Sequence, residues 1–391
     1  MSKNSAFRIQ HSAFKLGILG GGQLGKMLCE AASPWALNTW ILDEKRSFPA
    51  GPICSNFVEG DFKNYDDVLR FGRQVDVVTI EIEQVNTEAL AVLEAEGKAV
   101  YPSSKALNLI KDKGLQKQFY LENGFPTSHF ELFSDENALK TAISEGRWKF
   151  PFVQKTRTAG YDGRGVSILR SEADLAEKLL VGPCLAEKLV DIQTEIAVIA
   201  ARRSSGEITV FPPVEMTFHA EANLVEFLIC PARISPLVAA QAEAIAEELI
   251  ERFEIVGLLA VELFLTADNS LIINEVAPRP HNSGHHTIDS AVTSQFQQHL
   301  RAILDLPLGD TRQTAPAVMV NLLGEPGFKG PAIYEGIEKC LAVPGVFIHL
   351  YGKEKTAPFR KMGHATIVAD DLETALRRAN FVHNTLKIKS L

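Results

Sequence analysis

Lys155-Thr-Arg-Thr-Ala-Gly-Tyr-Asp-Gly-Arg-Gly165 stands between two short apolar runs, residues 152–155 and 166–169. Two strands around a turn of this length read as a hairpin. Gly160, Gly163 and Gly165 fall within six residues, just after a lysine that closes the first strand. Such a flap of backbone donors closes over a polyphosphate and excludes water during group transfer. Lys155 would then lie against the phosphates. The stretch is not a Walker loop, because no Gly-Lys-[Ser/Thr] follows it. Taken alone it fits a flexible hairpin tip equally well, so its distant neighbours have to discriminate.

Two of them do. Val261-Glu262-Leu-Phe and Ile273-Asn274-Glu275-Val each set a carboxylate in an otherwise apolar strand. A buried, unpaired carboxylate is costly and calls for a cation. Two carboxylates completed by phosphate oxygens are a usual way to hold Mg²⁺, and Asn274 stands beside them. The bland alternative is a pair of glutamates on the solvent face of edge strands. Ala186-Glu187-Lys188-Leu189 closes another apolar strand, where backbone and Glu187 suit an adenine edge and ribose, with Glu195 eight residues on.

These segments belong to a central unit, residues 113–310. Its reading runs through a helix to Asn123, the break Gly124-Phe-Pro126, a strand at 129–133 and a helix at 135–145. Ser171-Glu-Ala-Asp174 reads as a capping box opening a helix, and Ser235-Pro236 as a cap plus first-turn proline. Strands at 258–265 and 271–277 flank the polar turn Ala267-Asp-Asn-Ser270.

Ahead of it, residues 15–112 alternate strand and helix: a strand at 15–20, a helix at 23–32, a strand at 39–42 ending in Asp43, an apolar run at 75–82 and a helix at 87–96. That alternation implies a parallel sheet covered on both faces. Gly20-Gly-Gly22-Gln-Leu-Gly25 satisfies the dinucleotide-binding spacing, and Asp43 stands where that motif keeps its ribose acid. The glycines read best as cradling the phosphate of a substrate, with a nicotinamide nucleotide or a tight turn alone as the alternatives. A dehydrogenase leaves the central unit unexplained. Residues 1–14 read as a disordered leader, and residues 311–391 as a small β-rich unit with a closing helix from Asp371.

Composition removes several classes of function. Hydrophobic residues at 46% and charged residues at 23% give a globular chain of 391 residues with room for two or three packed units. No apolar run reaches the length of a membrane span. The net charge of −8 disfavours nucleic acid. Five scattered cysteines with no Cys-x-x-Cys speak against a disulfide framework and fit a reducing cytoplasm.

In order, Lys155, the Gly160 to Gly165 flap, Glu187, Glu262 and Asn274-Glu275 resemble the ATP-grasp fold. The chain from about Lys15 to Ala365 is similar, more narrowly, to the N5-carboxyaminoimidazole ribonucleotide synthetase family. The resemblance rests on residues 20–27, Glu81-Ile-Glu83, residues 159–165, Asn274-Glu-Val-Ala-Pro-Arg-Pro-His-Asn-Ser-Gly-His285 and Phe359-Arg-Lys-Met-Gly-His364. Gln23 and Arg279-x-His281-Asn-Ser-Gly284 separate it from the formate-dependent glycinamide ribonucleotide transformylases, the nearest alternative. Two departures stand out: Lys113 where many members have arginine, and Glu81-Ile-Glu-Gln-Val-Asn86 for a frequent Glu-Phe-Glu-Asn-Val-Pro.

The resemblance implies an N-terminal Rossmann-like domain, a two-lobed ATP-grasp domain and a small C-terminal domain, an α/β and α+β architecture. It implies carboxylation of 5-aminoimidazole ribonucleotide with ATP, Mg²⁺ and bicarbonate through carboxyphosphate, by a homodimer. ATP would contact Lys113, Lys155, Gly160, Tyr161, Asp162, Gly163, Arg164, Gly165, Glu187, Lys188, Leu189, Val190, Glu195, Asn274 and Glu275. Mg²⁺ would sit on Glu262 and Glu275. Gly22, Gln23, Leu24, Glu83, Tyr161, Asp162, Lys353, Arg360 and Lys361 would receive the ribonucleotide, the last three its phosphate. Asp162, Arg279 and His281 would carry the chemistry. His281 and His285 have metal-ligand spacing, but Asn-Ser-Gly between them favours a loop over a zinc helix.

Overall fold

The computed structural model describes residues 14–158, 165–218 and 224–391. The flap residues Gly160, Tyr161, Asp162, Gly163 and Arg164 and all of the leader except Phe14 lie outside the described residues.

The first unit is a parallel sheet of β1 (Lys15–Leu19), β2 (Asn38–Asp43), β3 (Asn56–Glu59), β4 (Val77–Ile80) and β5 (Ala99–Tyr101), in the order β3-β2-β1-β4-β5. Every residue of β4 is buried, as a strand covered on both faces requires. Helices α1 (Gln23–Ala32), α2 (Tyr65–Gly72), α3 (Thr87–Ala95) and α4 (Ser104–Lys111) alternate with the strands. The side chains of Asn64, Asn86 and Ser103 cap the last three by accepting first-turn N–H groups. On one face, Val68, Phe71, Leu90 and Leu93 of α2 and α3 pack on the sheet. On the other, α1 shares the work with Phe296 and Leu300, which arrive from far along the chain.

The central unit begins with α5 (Lys113–Glu122). Strands β6 (Phe130–Phe133), β7 (Phe152–Thr156), β8 (Val166–Leu169) and β9 (Cys184–Lys188), with α6 (Glu136–Ser144) and α7 (Asp174–Glu177) between them, form a small antiparallel sheet ordered β6-β9-β7-β8. β7 and β8 are the expected hairpin, with Lys155 opposite Val166. The capping box at Ser171 needs correction. α7 is a single turn without a side-chain cap, and only half the motif exists, the Asp174 carboxylate accepting from the N–H of Ser171 and Arg170.

A much larger sheet follows. β10 (Ile192–Arg202), β11 (Ile208–Val210), β12 (Val214–Phe218) and β13 (Val225–Cys230) precede α8 (Pro236–Arg252), whose Ser235 cap accepts from Val238 as expected. β14 (Gly257–Thr266) and β15 (Leu271–Ala277) complete the unit's strands, with α9 (Thr287–Ser290) and α10 (Gln295–Ile303) behind them. Helix α10 supplies the Phe296 and Leu300 that cover the first sheet, and His299 Nε2 lies 2.8 Å from Thr79 Oγ1 of β4.

The last unit adds β16 (Ala317–Leu323), β17 (Gly330–Glu335), α11 (Ile337–Leu341), β18 (Val346–Leu350), β19 (Lys355–Thr356), β20 (Lys361–Val368), α12 (Leu372–Thr385) and β21 (Lys387–Ser390). It is not a free-standing module. β16 pairs with β13, so a nine-stranded sheet runs β15-β14-β10-β12-β13-β16-β20-β18, with β11 beside β10. β17, β19 and β21 form a separate small sheet.

Candidate active site

One face of the large sheet gathers the carboxylates. Antiparallel pairing sets Glu262 of β14 opposite Glu275 of β15 and opposite Ala197 of β10. Glu195, two residues from Ala197, shares that face. The register slips just after Glu262, where Leu263 pairs with Ile273 and leaves Asn274 as a bulge. This irregularity lets consecutive residues serve one site. Asn274 donates to Glu262 Oε2 at 3.4 Å and accepts from Lys155 Nζ at 3.0 Å, while Glu275 pairs with Lys113 Nζ.

The lysines come from the small lobe and from α5. Asp112 caps α5 and also receives Arg157 through both carboxylate oxygens, at 3.0 and 2.6 Å, so the base of the flap is tied to the helix that presents Lys113. Four residues on, Lys117 is fully buried. Its Nζ donates to Thr127 and Ser128 and lies 3.3 Å from Glu187, whose other oxygen is 3.2 Å from Lys155. Burial would raise Glu187, but Lys155, Lys117 and the Ser128 bond outweigh it and hold the carboxyl below its ordinary value. Burial brings Lys117 down to about 8. The Glu187 side chain is therefore turned to the lysines. Lys188, Leu189 and Val190 lie at the connection from β9 to β10, which carries Glu195.

Charge does not balance on this face. Lys113 holds Glu275 well below its ordinary value. Burial, and then the charges of Glu275 and Glu195, push Glu262 well above its own. Burial also raises Glu195 to about 7, against the pull of Lys155. A cluster of hard oxygen donors short of positive charge fits Mg²⁺. Among the described residues no three carboxylate, histidine or cysteine side chains gather as a full cage. Nucleotide phosphates and water would have to supply the other donors.

The segment after β15 brings the remaining groups. Arg279 Nε lies 2.9 Å from Glu83 Oε1, a charge contact rather than an aligned hydrogen bond, and it joins the central unit to the first. His281 Nδ1 accepts from the Ser283 N–H, which leaves the ring proton of the neutral imidazole on Nε2, 3.5 Å from Glu262. His281 and His285 serve different partners. His285 is buried against Gln295, whose amide also brackets His281 by accepting from its N–H at 2.9 Å and donating to its carbonyl at 2.8 Å. A methyl on Gly284 would come 2.5 Å from Gln295 Oε1, which explains the glycine.

The first glycine loop overturns an expectation. Gly22 and Gly25 donate their N–H groups to Glu81 at 2.6 and 2.8 Å, and Gly21 donates to Asp43 at 2.6 Å. The donors that would cradle a phosphate are already committed to carboxylates. Asp43, placed like a ribose acid, is buried and faces inward, which also disposes of the nicotinamide reading. Gln23 and Leu24 form the first turn of α1 beside this loop, and Lys26 of the same helix donates to the Leu350 carbonyl of the last unit. Asn86, which departs from the family's proline, has a local reason: it caps α3 and donates to the Lys63 carbonyl.

Lys353, Arg360 and Lys361 of the last unit lie on and beside the strands β19 and β20. Lys353 Nζ donates to the Lys361 carbonyl at 2.7 Å, and exposed Arg360 donates to the Lys355 carbonyl at 2.6 Å. His364 stacks on His349 with ring centres 4.5 Å apart and meets His285 at a tilt, 4.9 Å away, while Asp289 lies 2.8 Å from His349 Nε2. Lys117, Arg157, Glu81 and Gln295 are absent from the site that the sequence predicts. For Lys117 the signal exists: it stands i+4 from Lys113 on one helix.

Two antiparallel sheets that meet across lysines and paired glutamates define an ATP-grasp ligase. Family models agree segment by segment: a ribonucleotide synthetase preATP-grasp domain over residues 13–111, an ATP-grasp domain over 118–296 and a phosphoribosylaminoimidazole carboxylase C-terminal domain over 317–378. The chain is 34% identical to the Bacillus subtilis N5-carboxyaminoimidazole ribonucleotide synthase, covering 90% of this chain and 91% of that one. The crystal structure of the Thermotoga maritima synthetase superposes with a TM-score of 0.89 at 40% identity, over 97% of this chain and all of that one. The Aspergillus clavatus synthase in complex with ADP and 5-aminoimidazole ribonucleotide superposes at 0.87 with 32% identity, over 96% and 99%. The chain belongs to the N5-carboxyaminoimidazole ribonucleotide synthetase family. The curated Candida glabrata phosphoribosylaminoimidazole carboxylase is 40% identical over 94% of this chain, but the chain spans only 65% of its length.

Proposed function

We propose that the chain carboxylates 5-aminoimidazole ribonucleotide to N5-carboxyaminoimidazole ribonucleotide in purine biosynthesis, consuming ATP and bicarbonate. The observation that carries this reading is the charge-deficient face of Glu195, Glu262 and Glu275 beneath Lys113 and Lys155, joined through Arg279–Glu83 to the first unit. Bicarbonate is a poor electrophile. Attack of its oxygen on the γ-phosphorus releases ADP and gives carboxyphosphate; the substrate amine then attacks the carbonyl carbon, and phosphate leaves.

Glu262 and Glu275, backed by Asn274, would hold Mg²⁺, which when bound neutralises charge on the transferring phosphoryl group. Lys113 and Lys155 orient the nucleotide phosphates, and residues 188–190 with Glu195 take base and ribose. Arg279 and His281 hold the bicarbonate beside the γ-phosphate, where position supplies most of the acceleration. Asp162 accepts the proton of the attacking amine, Tyr161 lies alongside, and Lys353, Arg360 and Lys361 bind the ribonucleotide phosphate.

A cytoplasmic enzyme fits the five buried, unpaired cysteines and the lack, among the described residues, of a helix long and apolar enough to cross a membrane. A homodimer is carried over from the family resemblance.

The test is ADP release from Mg-ATP and bicarbonate, with and without 5-aminoimidazole ribonucleotide. Strong stimulation by the ribonucleotide is expected. Turnover indifferent to it, or dependent on formate and glycinamide ribonucleotide instead, would overturn the substrate.

A further inference from the structure

The loop at residues 20–25 has the form of an anion cradle, and the anion in it belongs to the chain. Three N–H groups converge at the start of α1, and all three end on carboxylate oxygens, two of them on Glu81. The glycines answer to this side chain. A methyl on Gly22 would lie 2.5 Å from Glu81 Oε1, and one on Gly20 would strike the Glu81 Cγ. Glu81 is itself fixed, its N–H donating to the Leu19 carbonyl at 3.0 Å. It stands two residues before Glu83, the partner of Arg279. The start of α1 therefore carries carboxylates on the donors that a nucleotide-binding loop would leave vacant.

We propose that Glu81 is a specificity-determining and positioning residue. Its carboxylate takes the place of a phosphate at the start of α1, closing the cradle to nucleotide and sugar phosphates and holding residues 22–25 so that Gln23 faces the ribonucleotide. The positioning half rests on the proposed substrate contact at Gln23; the exclusion half does not.

Two variants of the full chain test it. Glu81→Ala removes a fragment the size of acetate and frees two N–H groups. The KM for 5-aminoimidazole ribonucleotide should rise about tenfold or more while the KM for ATP stays within about twofold, as expected for lost charge-assisted hydrogen bonds on one side of the site. Added acetate should restore the first KM. Glu81→Gln fills the same space but sets an amide donor against an N–H group, so it should show the defect without rescue by acetate. In thermal melts, inorganic phosphate should stabilise Glu81→Ala more than it stabilises the parent, a readout that needs no turnover and so survives failure of the proposed reaction. Equal stabilisation of the two chains by phosphate sinks the exclusion. Equal acetate responses of the two variants, or kcat and both KM values of Glu81→Gln moving together, sink the positioning role. The Glu81→Gln kinetics stand even where Glu81→Ala does not fold.

Discussion

Two pairs of acids in this chain meet opposite fates. Asp43 and Glu81, in the first unit, end on the N–H groups of Gly21, Gly22 and Gly25, and the polypeptide itself satisfies them. Glu262 and Glu275, on the large sheet, face each other and share Lys113 as the near cation, so one is held down and the other pushed up. A carboxylate met by backbone donors is architecture, because those donors cannot leave. One left short of positive charge is open to a mobile cation. The glycine pattern of the first loop resembles a ligand site, yet the pair lacking any glycine signature has the better claim.

The largest effect should come from the unsatisfied pair. Glu262→Gln should lower the rate of ADP formation by about 10³-fold, the range expected when a preorganised electrostatic contact to transferring charge is lost. The melting temperature without ligand should not fall, because burial already favours the neutral carboxyl. A stability loss comparable to the rate loss would erase the distinction drawn above.

Next is a pH effect from buried groups that are content only when neutral. Burial holds His285 and His364 well below their ordinary value, lowers His286 to about 4 and His299 to about 3. With folded-state values below the unfolded one, their contribution is complete above the ordinary histidine range and drains away as pH falls below it. Each should steepen the loss by about 1.4 kcal/mol per pH unit until its own folded-state value is reached. Denaturant unfolding at stepped pH reads this directly, and His299→Gln should flatten the slope by about one proton's worth. An unchanged slope would mean the imidazole is not held neutral.

The smallest effect should come from the satisfied pair. Asp43→Asn should cost about 1–3 kcal/mol of stability, the usual range for a weakened buried hydrogen bond. The Mg²⁺ dependence of turnover should not change. A shift in that dependence would place Asp43 among the cation-holding residues and collapse the comparison.

Much of this fold is legible in the sequence alone. The ends of α1, the hairpin around the flap and the Ser235-Pro236 helix start follow from caps, glycines and apolar spacing. β3 and β5 escape because they are short and only partly buried, so no apolar run announces them. The carboxylate pair is visible because a charge inside an apolar strand is costly wherever the strand lies. The bulge that turns Asn274 and Glu275 to one face is not, since it depends on register with β14. Glu81 is invisible as the loop's filling for a related reason: a glycine motif looks the same whether a ligand or a distant side chain enters it.

The pairing of β13 with β16 has a consequence for how the enzyme moves. Glu262 on β14 and Lys361 at the start of β20 belong to one continuous ladder, β14-β10-β12-β13-β16-β20, with strands roughly 4.8 Å apart. The sheet works as a ruler between the Glu262–Glu275 pair and the basic residues of the last unit. Sliding or hinging along that path would break backbone bonds. The four strands β6 to β9, which carry Lys155, pair with none of these. Backbone pairing thus fixes the span from Glu262 to Lys361, while the distance of Lys155 from either is left to side-chain contacts across the two sheets.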